Sequence, residues 1–98
     1  MDGYGTSALM VASSILNTKI IKILLEYGAD INSKNCFRYT ALMIVALKYT
    51  SNSLKRYETL KLLLENCADV NLKNIEFRKA YDLARTEDCK DLIKSYMN

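Results

Sequence analysis

Histidine and proline are both absent from this chain of 98 residues, and each absence removes a group of possibilities. Without histidine there can be no Ser-His-Asp triad, no Cys-His dyad, no His-ligated zinc and no imidazole switch near neutral pH. Any catalysis would fall to carboxylates, lysine, cysteine or tyrosine. The lack of proline, with 50% of residues apolar and 26% charged, suits one small helical domain and argues against a disordered tail or a collagen-like polymer. The cysteines are odd in number: Cys36, Cys67 and Cys89, spaced 31 and 22 apart, form neither a disulfide framework nor a C-x-x-C metal or redox pair. The longest unbroken apolar run, Ala41 to Leu47, is too short to cross a bilayer. Met1-Asp2-Gly3-Tyr4-Gly5 lacks the basic start and apolar run of a secretory signal. The expectation is a soluble, intracellular protein in a reducing compartment, with no cofactor, no metal and no membrane contact.

What the chain does contain is a repeat. Leu24-Leu25-Glu26-Tyr27-Gly28-Ala29-Asp30-Ile31-Asn32 recurs 39 residues on as Leu63-Leu64-Glu65-Asn66-Cys67-Ala68-Asp69-Val70-Asn71. Ser7-Ala8-Leu9-Met10-Val11-Ala12 recurs 33 residues on as Thr40-Ala41-Leu42-Met43-Ile44-Val45, and more faintly as Lys79-Ala80-Tyr81-Asp82-Leu83-Ala84. The two offsets differ by six, so the second unit carries six extra residues between its helices. The units span 2–34, 35–73 with the insertion near 49–56, and 74–98. Each reads as a polar turn, a short helix, a tight connection and a second helix. Gly28 follows the second helix of unit one, where positive φ is commonly required. Cys67 takes the equivalent place in unit two, and a left-handed cysteine costs on the order of 1 kcal/mol.

The period of 33, the Thr-Ala-Leu-Met box, the Leu-Leu pair and the Gly-Ala-Asp-Ile-Asn ending together resemble ankyrin repeats, over essentially all of residues 2–98. The resemblance implies an all-α fold, a solenoid of about three helix-turn-helix units joined by hairpin-like turns. All three boxes lack the family's proline and histidine, which implies first helices tied less firmly to their neighbours. Thr-Ala-Leu-Met boxes with lengthened helix connections, in a Lys-, Asn- and Ile-rich chain, are also similar to ankyrin proteins of giant amoebal viruses, and would place the protein in a host cell.

The two ends differ. In unit three, Cys89, Leu92, Ile93, Tyr96 and Met97 cover roughly 140° of the second helix, the stripe of a helix with one neighbour. In unit one, Ile20, Ile21, Ile23, Leu24 and Leu25 cover roughly 200°, as for a helix with two. The C-terminal unit therefore reads as a cap, whereas the first unit invites further repeats before it or self-association. Ordinary exposed aliphatics are the plainer alternative.

Gly3-Tyr4-Gly5 lacks the strand, third glycine and Lys-Ser/Thr of a phosphate loop and reads as a turn tip. Acidic pairs such as Asp88/Asp91 and Glu65/Asp69 sit near helix ends, where carboxylates cap or stay solvated. The turns between units carry more promise. They hold Tyr4; Phe37, Arg38 and Tyr39; and Ile75, Phe77 and Arg78, and aromatics with arginine are common interface anchors. Residues 33–40 and 72–79 each carry a net charge of +2, leaving −1 for the rest of a chain whose total is +3. The resemblance makes these turns fingers beside a concave face, the surface through which ankyrin proteins bind other proteins. Carried over by position, the partner-binding candidates are Tyr4, Thr6, Ser14, Phe37, Tyr39, Lys48, Glu76 and Arg78. Some rings could instead fold back as core, Phe77 first among them because it occupies the family's glycine position.

In the insertion, Thr50 to Ser53 reads as the polar break and Ser53 as N-cap of a helix starting at Leu54. It is either added loop length of little cost or a lengthened helix pair whose Tyr49, Arg56 and Tyr57 extend the partner surface. The expected function is a non-enzymatic protein-interaction module for a partner with an acidic surface. Nucleic-acid binding through the basic aromatic turns and a purely structural capping role in a longer array are the alternatives.

Overall fold

A computed structural model describes residues 6–97, whose regular secondary structure is entirely α-helical. Six helices form three antiparallel-type pairs: α1 (Ala8–Ser14) with α2 (Thr18–Glu26), α3 (Ala41–Leu47) with α4 (Ser53–Glu65), and α5 (Ala80–Leu83) with α6 (Glu87–Ser95). The inner helices stack in the order α1, α3, α5, and α4 packs on both α3 and α6. Tyr4 lies outside the described residues.

The helix starts follow from side-chain chemistry at the boxes. Ser7 Oγ accepts from Met10 N at 3.2 Å and Thr40 Oγ1 from Met43 N at 3.3 Å, each satisfying one amide that a first turn leaves orphaned. In the third box, where Lys79 replaces the hydroxyl, Asp82 Oδ2 accepts from Lys79 N at 2.9 Å. Helix α3 is the centre of the stack. Ala41, Leu42, Met43, Val45 and Ala46 are each no more than 1% exposed, so it is enclosed on nearly every side. Burying the larger of these side chains stabilises by about 1.5–3 kcal/mol apiece. Burial, rather than a histidine network, is what fixes the inner helices.

The two ends differ in the apolar surface they expose, and Tyr96 of the α6 stripe is itself 41% exposed. On α6, Cys89 and Ile93 are fully buried while Lys94 and Ser95 face solvent. On the first pair, Ile21 is buried, but Val11, Ile15, Ile20, Ile23 and Tyr27 are all exposed.

The six extra residues divide unequally. The connection from α3 to α4 spans residues 48–52 against 15–17 between α1 and α2, and α4 has 13 residues against 9 in α2. Two residues thus lengthen the connection and four lengthen the helix. Since Glu26 and Glu65 are equivalent ends, the added helical residues are Ser53, Leu54, Lys55 and Arg56. The N-cap is Asn52, not Ser53: Asn52 Oδ1 accepts from Lys55 N at 3.0 Å, and Ser53 is the first helical residue. Asparagine caps as well as serine, and the shorter connection suffices to reach it. Arg56 is also not a surface group; it is 4% exposed.

Gly28 has φ of 89° and Cys67 has φ of 69°, so both units turn out of the second helix through the left-handed region. A Cβ at Gly28 would meet nothing within 4 Å, and the Cys67 side chain is exposed. The penalty at both positions is therefore conformational and not steric crowding. Cys67→Gly is expected to stabilise the protein by about 1 kcal/mol and Gly28→Ala to destabilise it by a similar amount. Urea unfolding should show opposite midpoint shifts with unchanged slopes.

Candidate interaction surface

Two asparagines in register build the turns between helix pairs. Asn35 Oδ1 accepts from Phe37 N at 2.9 Å and Tyr39 N at 3.0 Å, and Asn35 N donates to Tyr39 O at 3.1 Å. At the next turn Asn74 Oδ1 accepts from Glu76 N at 2.8 Å and Arg78 N at 3.1 Å, and Asn74 N donates to Arg78 O at 3.0 Å. The side chain thus substitutes for the missing backbone partners of a tight turn. Each turn closes through a left-handed residue, Arg38 at φ 61° and Phe77 at φ 62°. The adjacent turns are joined by Ile75 N donating to Phe37 O at 3.1 Å. A second link runs below them, where Asn32 Oδ1 accepts from Asp69 N at 2.8 Å. The recurrence of asparagine 39 residues apart was visible in the sequence, but nothing local distinguishes it from an ordinary polar turn residue.

Phe37 is 45% exposed, Ile75 51% and Phe77 77%. Phe77 therefore does not fold back as core: its left-handed backbone holds the ring outward at the turn tip. Arg38, Glu76 and Arg78 are exposed beside these side chains, with Lys34 and Lys73 leading into the two turns. Tyr39 behaves differently, since it is half-buried and packs against the hydrophobic core. Thr6, Ser14 and Lys48 are half-buried along the inner helices. The Ser14 hydroxyl donates to Val11 O at 2.7 Å, and Lys48 follows α3. The turn tips bring Phe37, Glu76 and Arg78 onto linked neighbouring turns, whereas Thr6, Ser14 and Lys48 stand apart along the inner row. No group of three or more Cys, Asp or Glu among the described residues is arranged to hold a metal ion. No helix among the described residues is long and apolar enough to cross a membrane.

Stacked helix pairs with turns projecting from one edge define a helical repeat solenoid. A family model described as "Ankyrin repeats (3 copies)" matches residues 1–74, and the chain belongs to the ankyrin repeat family. The ankyrin repeat protein EF0377 has 33% sequence identity and a TM-score of 0.86, the match covering 95% of this chain and 48% of that one. The ankyrin repeat domain of Bcl-3, from the IkappaB family, superposes with a TM-score of 0.80 at 23% identity, covering 94% of this chain and 38% of that one, a likeness of fold alone. The chain thus spans about half the length of the first of these structures and less of the second. No curated protein matches the sequence. Ankyrin repeats are generally protein-interaction modules, and proteins built from them are typically non-enzymatic.

Asn74 is 1% exposed whereas Asn35 is half-buried, so the same substitution should differ in cost. Asn74→Ala is expected to cost about 2 kcal/mol and Asn35→Ala about 1 kcal/mol, through turn amides left without acceptors. Thermal or urea unfolding of the two variants checks the order.

Proposed function

We propose that the protein is a non-enzymatic adaptor that captures a partner with an acidic surface through its two linked turns and the adjoining concave row. The observation that supports this most is Phe77. An aromatic side chain 77% exposed on a left-handed backbone gains little from packing and pays for the conformation, a combination that recognition accounts for and stability does not. Phe37 and Ile75 extend the apolar tip, and Arg38, Arg78, Lys34 and Lys73 surround it with positive charge, opposed by Glu76 alone. Desolvated rings would supply affinity and the charge would speed encounter. Thr6, Ser14 and Lys48 would contact the partner along the inner helices, and Tyr4, outside the described residues, joins them on the family resemblance alone. Tyr39 supports the second turn from below as well as lining it.

The exposed aliphatics of the first pair belong to the same proposal: Val11, Ile15, Ile20 and Ile23 form the face on which further repeats or a second copy would stack. The Thr-Ala-Leu-Met boxes and composition carry the viral origin, with action inside the host cell, as part of this reading.

Changing Phe37, Phe77 and Arg78 together to alanine is expected to abolish partner capture while leaving the melting temperature within a few degrees. Retained capture overturns the choice of surface, and saturable oligonucleotide binding at low salt would favour the nucleic-acid alternative. Sedimentation at rising concentration should show self-association of the 98-residue chain, and a strict monomer removes the second-copy arm of the proposal.

A further inference from the structure

The added turn of α4 does more than fill space. It faces the connection between α5 and α6, and together they enclose a pocket of about 430 Å³ lined by Tyr49, Thr50, Ser51, Ser53, Arg56, Arg85 and Thr86. Five of the seven lie in the inserted stretch, and no acidic residue is among them.

Arg56 is the unusual member. The residue is 4% exposed, and it forms no ion pair with a carboxylate among the described residues. One terminal nitrogen donates to Lys48 O at 3.0 Å and the other to Thr86 Oγ1 at 3.5 Å, while Nε has no acceptor. A buried cation left with neutral acceptors and an unmet donor calls for an anion. Beside it, Arg85 donates only through Nε, to Leu47 O at 2.6 Å, and lies over the Tyr49 ring with its central carbon 5.6 Å from the ring centre. That leaves both terminal nitrogens of Arg85 uncommitted, on a guanidinium already oriented by a carbonyl and a ring. The hydroxyls of Ser51 and Ser53 make no hydrogen bond among the described residues, and Thr50 Oγ1 accepts from Asn52 N at 3.1 Å, so its own proton is available. Helix α4, of 13 residues, starts at this wall, and the amides of Ser53 and Leu54 have no intrahelical acceptor.

Two acidic groups lie in the first turn of the facing helix. Glu87 is exposed at the start of α6. The Asp88 carboxylate accepts from the Thr86 hydroxyl and from Cys89 N, and lines a separate hollow with Ser53, Leu54 and Tyr57. These bonds, the Thr86 hydroxyl foremost, hold Asp88 below its ordinary carboxylate range, with the Arg56 charge adding to the effect. Asp88 thus stays charged behind the pocket wall and weakens the attraction for an anion without occupying the site.

We infer that the insertion builds a binding pocket for a phosphate monoester, with Arg56 supplying buried positive charge, Arg85 gripping two phosphate oxygens, and Ser51, Ser53 and the first amides of α4 meeting the remainder. A planar guanidinium with both terminal nitrogens free matches the geometry of a phosphate. The pocket opens between two helix connections, away from the turn tips, so this inference goes beyond the finger surface and stands without it. The ester belongs to a phosphorylated serine or threonine side chain on a polypeptide, or to a small free molecule, for which inorganic phosphate serves as the probe.

Amide and arginine side-chain NMR of the intact chain, titrated with inorganic phosphate, with an acetylated Gly-Ala-phosphoserine-Ala-Gly amide and with its unphosphorylated counterpart, tests this. Saturable shifts confined to residues 49–56 and 84–88 are expected with both phosphates and not with the unphosphorylated peptide. Tighter binding of the phosphopeptide identifies the polypeptide source; tighter binding of inorganic phosphate identifies the free one. Arg85 is exposed, so Arg85→Gln should keep the fold and weaken binding at least about tenfold, while Asp88→Asn should strengthen it. Shifts that are absent, scattered over the surface, or equally strong in Arg85→Gln overturn the inference. The outcome is independent of partner capture at the turn tips, because no partner protein is used.

Discussion

The whole structure depends on α3 having a helix on each side. Its seven residues carry no charge, and nearly all are inaccessible to water. A helix this short has no independent stability and holds its shape only because tertiary packing supplies what its few internal hydrogen bonds cannot. Placing α1 on one flank and α5 on the other sets the spacing of the helix pairs. That spacing in turn puts the two asparagine-braced turns close enough for Ile75 and Phe37 to share a backbone hydrogen bond. The proposed recognition surface is therefore a by-product of burial: the inner helices dictate where the turns emerge, and the turns then need only short polar side chains to hold their form.

Much of this was legible because repeats make a sequence comment on itself. The equivalence of Gly28 and Cys67 told that the second position must be left-handed despite its side chain, and it is. The wide stripe on α2 foretold the apolar surface that the first pair leaves exposed at Ile20 and Ile23. What could not be read is the use to which individual polar residues are put. Asn52, rather than Ser53, caps α4, because two adjacent good caps cannot be ranked without knowing where the preceding connection ends. Arg56 reads on composition as a surface cation, yet it is buried, since only the facing connection from another helix pair reveals that its added turn is covered. Phe77 fails in the opposite direction: a large ring suggests core, but the backbone at that position turns it outward.

These misses share a cause. Periodicity reports which face of an element is apolar, and it reports nothing about a contact between two loops from different units. The candidate surface accordingly divides into a part visible in advance, Phe37 and Tyr39 with Glu76 and Arg78, and a part visible only in the folded chain, the asparagines that shape it and the half-burial of Tyr39. Among the described residues four that are not glycine, Leu16, Arg38, Cys67 and Phe77, adopt positive φ. The fold accepts that strain at its connections because the packed helices between them leave the chain no alternative route.

Repeat proteins ordinarily grow and shrink by whole units, since each unit presents the same face to whichever neighbour it meets. The added turn of α4, roughly 6 Å long at 1.5 Å per residue, breaks that equivalence here. Arg56 is buried only because the connection carrying Arg85 and Thr86 lies against it, and Thr86 is one of its two acceptors. A copy of the second unit placed after the third would expose the arginine, and one placed before the first would set it against Ile15, Leu16 and Asn17, a connection of equal length without the counterparts of Arg85 and Thr86. The burial of Arg56 therefore belongs to the second and third units as a pair and to neither of them alone.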